Sequence, residues 1–210
     1  ENNVHFVALY PFRPDFYKKM GFGYGPKIYQ YLVEPTSFPK GQSKLHLVYV
    51  DERVKEEVAA CSKRMAEKQH GMFYKTQGEL EALFKNQNNQ IVAFQKEGRI
   101  QGYIVFSFKK QSALNFMLNN MVIKEWVYET PEALLELSTF INCQADQVYR
   151  VEWNTHESNA HFLLSDARNG SNHLIPSVYH ASAITGLGLM YRIINVRAFF
   201  KDYCSCQVNS

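Results

Sequence analysis

Two apolar runs, Ile91–Lys96 and Ile100–Phe108, flank the short connection Glu97-Gly98-Arg99, and this arrangement constrains the fold more than any other stretch. Both runs are rich in β-branched and aromatic residues, which favour extended backbone. A connection this short, with a glycine in it, joins two strands only as an antiparallel hairpin. A lone hairpin cannot bury its faces, so further strands or helices must cover it. With 46% hydrophobic and 14% aromatic residues in 210, the chain has the apolar material to build that cover.

The neighbouring segments supply it. Leu45–Val50 reads as a strand, and Asp51 is placed to cap a helix over Glu52–Lys68, in which Val54, Val58, Cys61 and Met65 recur at helical spacing. A short helix over Gly78–Lys85 precedes the hairpin. A long strand, Leu114–Tyr128, follows it, and Thr130-Pro131 then opens a helix with Leu134, Leu137 and Ile141 on one face. Val148–Trp153 reads as a strand, Ser158–Ala167 as a helix, Gly170–Gly188 as irregular chain, and Met190–Ile194 and Val196–Tyr203 as a strand and a helix. The order strand, two helices, hairpin, strand, helix, strand predicts an α/β (α+β) fold, a mixed but mostly antiparallel sheet flanked by helices. Before it lie a strand over Val4–Tyr10, a helix from Asp15 to Met20, glycines at 21, 23 and 25, and a strand over Lys27–Val33. Residues 36–44, with Pro39, Gly41 and Ser43, read as a linker.

Charge and cysteine content narrow the function. The formal charge is +3, from 23 basic and 20 acidic residues, with no long run of one sign, so no nucleic-acid partner is expected. No stretch approaches the roughly 20 apolar residues of a membrane helix, and the first twenty residues lack a signal-peptide layout. A cytoplasmic protein with no membrane partner is expected. Four cysteines with no regular framework fit a reducing compartment, and Cys204 and Cys206 read as incidental rather than as a metal pair, so no metal is expected.

The stretch from Leu9 to Gly25 contains Phe16-Tyr17, then Gly21-Phe22-Gly23-Tyr24-Gly25. It resembles the FYxxxGFxYG segment that closes the first catalytic domain of GNAT-family N-acetyltransferases of the enhanced-intracellular-survival type. In that family two GNAT domains precede a sterol-carrier-like domain, and Gly188–Val196 looks like the opening of the third. The resemblance implies an internal fragment. Residues 1–37 would be the C-terminal part of the first, catalytic GNAT domain, 38–188 a second and degenerate GNAT-like domain, and 189–210 the start of the sterol-carrier-like domain. It implies transfer of acetyl from acetyl-CoA to a primary amine, with aminoglycosides, polyamines and protein lysines all open as substrates. It also places Tyr17 at the position of the general acid and Phe12 and Arg13 along the cofactor. A phenol, with an ordinary pKa of about 10, is protonated at neutral pH and can pass its proton to a departing thiolate, whose thiol ionises near about 8.5. An arginine has an evident electrostatic use beside a pyrophosphate.

Two features depart from that pattern. The basic, glycine-rich pyrophosphate loop would lie upstream of residue 1. Gly21, Gly23 and Gly25 have neither phosphate-loop spacing nor the dinucleotide fingerprint, and turn geometry explains them. In the second domain the equivalent turn reads Glu129-Thr130-Pro131-Glu132-Ala133, with two carboxylates, a missing N–H at Pro131 and no glycine. This predicts a non-catalytic copy. A structural or assembly module, a degenerate GNAT domain in a homo-oligomer, is therefore the alternative to an acetyltransferase. His156 and His161 are five apart, about 140° around a helix, and do not share a metal-binding face. Trp126, Tyr128, Tyr149 and Trp153 alternate along two strands and read as sheet packing.

Overall fold

The hairpin turn is built by Glu97 and Gly98, both at positive φ, 55° and 72° in the computed structural model. That pair of conformations matches the right-handed twist of the flanking strands. The structure describes residues 4–69, 72–111 and 119–207, the last six of these by backbone alone. In chain order the elements are β1 (Phe6–Leu9), α1 (Pro14–Lys19), β2 (Gly23–Tyr24), β3 (Lys27–Val33), β4 (Leu47–Tyr49), α2 (Lys55–Ala66), α3 (Gln77–Lys85), β5 (Gln90–Lys96) and β6 (Arg99–Lys110). They continue with β7 (Asn119–Tyr128), α4 (Pro131–Asn142), β8 (Val148–Thr155), β9 (Ile184–Leu187), β10 (Met190–Ile193) and α5 (Val196–Gln207). The chain divides into two compact units, residues 1–29 with 185–210, and residues 30–184.

In the larger unit the strands lie in the order β4-β5-β6-β7-β8-β3. From β4 to β7 each neighbour is antiparallel, whereas β7 and β8 are parallel and α4 supplies the crossover between them. One face is covered by α2, whose Val58 and Cys61 pack with Ile91, Ala93, Tyr103, Val105 and Val127. The other face is covered by α4: Leu137 and Ala133 sit over Gly102, and Phe140 stacks 5.5 Å from Phe106. Covering both faces explains why the middle of β6 is an unbroken apolar run rather than an alternating one. Truncating a fully buried side chain here, such as Leu137, to alanine costs about 2–5 kcal/mol.

The predicted fold class is therefore the observed one, with local differences. The strand expected from Leu114 is seen from Asn119, and 112–118 lie outside the described residues. The helix expected over Ser158–Ala167 is one short 3-10 turn, Ala160–Leu163, because Asn159 offers no side-chain cap. The irregular stretch from Gly170 contains β9 and a bridge between Leu174 and His180. The linker over 36–44 is more than a tether. Pro35–Ser37 form a 3-10 turn, Phe38 is 2% exposed, and Asn142 donates to the Phe38 carbonyl at 2.8 Å. Proline and glycine mark where the backbone turns, not whether a neighbouring ring is buried. Sequence reading also missed the capping box of α3, in which Thr76 and Glu79 bond each other's backbone N–H.

The smaller unit holds the three-stranded sheet β1-β10-β2, antiparallel throughout, with Phe6 opposite Ile193 and Leu9 opposite Met190. Phe6 stacks on Tyr191 at 5.1 Å and meets Phe199 of α5 at 5.6 Å. Cys204 and Cys206 fall within α5, but their side chains lie outside the described residues.

Candidate functional site

In a sheet with parallel neighbours, ligands bind where two strands part beyond their carboxyl ends. That place in the larger unit is the end of β7 and β8. Their parallel ladder runs from Asn119 opposite Val148 to Ile123 opposite Trp153, and β7 then continues to Tyr128 without a partner in β8. A bulge at Lys124 helps to turn β7 away, since Val105 faces Glu125 and Phe106 faces Ile123. Rings fill the gap. Trp126 and Trp153 are 5.1 Å apart, and Phe38 is 5.9 Å from each. Of the four aromatics read as sheet packing, Trp153 is buried, Trp126 and Tyr128 are half-buried, and Tyr149 is exposed beneath the Arg150 guanidinium.

The turn leading into α4 is closed by its own side chains. Thr130 accepts from the Ala133 N–H at 3.1 Å, and Pro131 contributes no N–H. Glu129 accepts from Arg64 Nη2 at 2.5 Å and from Arg99 Nη2 at 2.7 Å, and its side chain is only 6% exposed. Burial pushes the Glu129 carboxyl up. Hydrogen bonds from Arg64 and the Cys61 thiol, with the charges of Arg64 and Arg99, outweigh that and hold it below the usual carboxylate range. The same burial, and the neighbouring carboxylate, push the Cys61 thiol up to about 12, so it is no nucleophile. Glu132 holds Lys96 at 2.7 Å. An anionic pyrophosphate at this turn would meet two carboxylates, a proline without an N–H and an Ala133 N–H that is already capped, and the residues present do not fit it.

In the smaller unit, α1 carries Tyr17. Its ring lies edge-on to Phe12 at 5.6 Å, Phe16 at 5.4 Å and Phe22 at 5.7 Å. Such contacts fix the ring plane through its electrostatic quadrupole. Phe12 is exposed, and Arg13 is the residue that precedes α1 and pairs with Asp15 at 2.8 Å. That hydrogen bond from Arg13 lowers the Asp15 carboxyl below its ordinary range. The structure thus brings Phe12 and Tyr17 together and turns the Arg13 charge toward a carboxylate of its own helix. Gly21 has φ +82° after α1, and a Cβ on Gly25 would come within 2.2 Å of the Tyr191 ring. Turn and packing needs account for both glycines.

Sequence reading passed over one further group. His46, Glu132 and Glu136 place donor atoms within 4.8 Å of one another. Glu136 takes both the backbone N–H and the ring nitrogen of His46, at 3.1 and 2.8 Å, while Glu132 holds Lys96, so each is already engaged inside the protein. Among the described residues no helix is long and apolar enough to cross a membrane.

The profile of the acetyltransferase (GNAT) domain family matches residues 67–193. Among solved structures, the chain is similar to a GCN5-related N-acetyltransferase from Anabaena variabilis, at 19% identity and a TM-score of 0.72, covering 92% of this chain and 47% of that one. A conserved protein from Enterococcus faecalis, described as a probable N-acyltransferase, aligns at 19% identity and a TM-score of 0.69 over 93% of this chain and 47% of its own. Eis1 from Mycobacterium abscessus aligns at 13% identity and a TM-score of 0.63, over 92% and 48%. The chain spans about half the length of each. No curated protein matches the sequence.

Proposed function

The chain belongs to the acetyltransferase (GNAT) domain family, and on that premise we propose that it serves an N-acetyltransferase that moves acetyl from acetyl-CoA to a primary amine, with Tyr17 as general acid. The observation that carries this reading is the placement of Tyr17 on α1 with its ring fixed by three aromatic neighbours. A phenol so placed can pass its proton to a leaving thiolate. Phe12, beside that ring, would line the acyl donor, and Arg13 would reach it by exchanging Asp15 for phosphate.

The domain reading is that residues 1–37 close a first, catalytic GNAT domain, 38–188 form a second GNAT-like domain, and 189–210 open a sterol-carrier-like domain. The chain's span of about half its solved relatives accords with this. The acyl donor is then held by the first domain. Replacing Tyr17 by phenylalanine in the full-length protein should lower turnover at least about 100-fold, the usual contribution of a positioned acid, without moving the melting midpoint. Wild-type turnover in that variant would sink the assignment.

A second reading applies to residues 38–188 alone, as a non-catalytic module that packs and makes homo-oligomer contacts. The ring-filled parting of β7 and β8 and the closed α4 turn favour it. Titrating the chain with acetyl-CoA by calorimetry tests this second reading. No heat of binding is expected, and tight binding that disappears on changing the Glu129–Ala133 turn would refute the non-catalytic reading.

A further inference from the structure

A polar cavity of about 250 Å³ lies within residues 30–184, and none of its walls comes from α1 or from the Glu129–Ala133 turn. One wall is Glu34 and Ser37, after β3, and a second is Arg150 of β8. The third is the segment from Asp166 to Ala181. That segment is pinned at its root, where Ser165 N–H donates to the Ser37 carbonyl at 2.8 Å. It is closed on itself by Asn169 N–H to the Ala181 carbonyl at 3.1 Å and Ala181 N–H to the His173 carbonyl at 2.9 Å. His173 and His180 are thereby held on the same wall.

Arg150 is the anomaly. Its side chain is 15% exposed, and the backbone at Gly170 lies so close that a Cβ there would come within 2.6 Å of Nη2. The arginines elsewhere that meet carboxylates do so at hydrogen-bonding distance: Arg168 with Asp166 at 2.6 Å, Arg53 with Asp51 at 2.7 Å, Arg64 with Glu129 at 2.5 Å. Arg150 has the Tyr149 ring 5.3 Å from its guanidinium carbon and, as its carboxylate, Glu34 Oε1 at 3.4 Å, beyond the range of a charge-assisted hydrogen bond; the side chain of Glu34 is 59% exposed. A guanidinium carries five N–H donors in a rigid fork. The N–H groups that Glu34 does not engage open on the cavity, where one incoming acceptor can take several of them at once.

We propose that this cavity binds a small oxyanion of the phosphate class, seated on the Arg150 fork, with Ser37, Asn172, His173 and His180 as further donors. A tetrahedral oxyanion offers acceptors in several directions, matching donors on three walls, where a planar carboxylate would use only one. By the same measure a water needs about 10–15 Å³, so the cavity has room for the oxyanion and for part of an ester group attached to it. Asp166 is already taken by Arg168, which leaves Glu34 as the carboxylate the ligand must displace.

The test is a titration of the protein with inorganic phosphate, phenyl phosphate and acetate at constant ionic strength, followed by amide shifts of the 166–181 segment. Saturable binding of phosphate or phenyl phosphate is expected, with acetate at least about 10-fold weaker. A preference for phenyl phosphate points to an esterified source and equal affinity to the free ion. Arg150→Gln should weaken binding about 10- to 100-fold, the range for a hydrogen bond to a charged group. Glu34→Gln removes the competitor from an exposed position and should tighten binding several-fold, which a purely structural ion pair would not do. Absence of saturable binding overturns the proposal, as does acetate binding as tightly as phosphate. If Arg150→Gln does not fold, the Glu34→Gln arm decides: unchanged or weaker binding overturns the proposal.

Discussion

The helices α1 and α4 begin in the same way, with proline at the first position, and differ in what surrounds that start. At α4 three side chains near the start have partners inside the protein: Thr130 caps Ala133, Glu129 joins Arg64 and Arg99, and Glu132 joins Lys96. At α1 the preceding residue, Arg13, makes no side-chain cap, and Tyr17 one turn on meets the rings of Phe12, Phe16 and Phe22. A helix end satisfied from within is a structural joint. A hydroxyl on a ring fixed by its neighbours is held in one orientation, which is what a positioned proton donor requires.

The largest test of that contrast is Glu129→Gln. It leaves Arg64, 28% exposed, and Arg99, 53% exposed, facing a neutral amide at a position that is itself only 6% exposed, and should lower stability by about 3 kcal/mol in a denaturant melt. A loss below about 1 kcal/mol would mean that the joint does not hold α4. The pH dependence checks the same point. The Glu129 carboxyl titrates lower when folded than its unfolded value of about 4.3, so its contribution is present above that pH and is lost as the pH falls through the folded value. The wild type should therefore lose stability more steeply than Glu129→Gln below about pH 5, and parallel curves would remove Glu129 from the account.

Next in size is Tyr17→Phe, whose expected loss of about 100-fold in turnover corresponds to roughly 2.7 kcal/mol in the transition state, with stability unchanged within about 0.5 kcal/mol. Should the variant instead melt early with normal turnover, Tyr17 would belong with the joints. The smallest effect is at the α4 cap. Thr130→Ala should cost about 1 kcal/mol in stability and leave acetyl-CoA affinity as it was. A change in that affinity would show the α4 turn to be part of a site after all.

Sequence alone determined what depends on neighbours a few residues apart. The hairpin follows from Glu97-Gly98 between two apolar runs, the α4 start from Thr130-Pro131, and the buried stripe of α2 from the spacing of Val58 and Cys61. The mismatch of the Glu129–Ala133 turn with a pyrophosphate was legible for the same reason, since charge, glycine and proline are properties of the residues themselves. Tertiary structure decided what depends on distant partners. Glu129 repels anions by composition, but only the arrival of Arg64 and Arg99, 65 and 30 positions away, makes it the hub of a buried joint. Phe38 sits in a stretch that reads as a linker and is buried because Trp126 and Trp153 come to it from two strands. Arg150 is an ordinary basic residue in the sequence. The fold sets its guanidinium on a cavity wall with a carboxylate no nearer than 3.4 Å, because burial and hydrogen bonding are set by which segments meet, and no local pattern encodes that meeting.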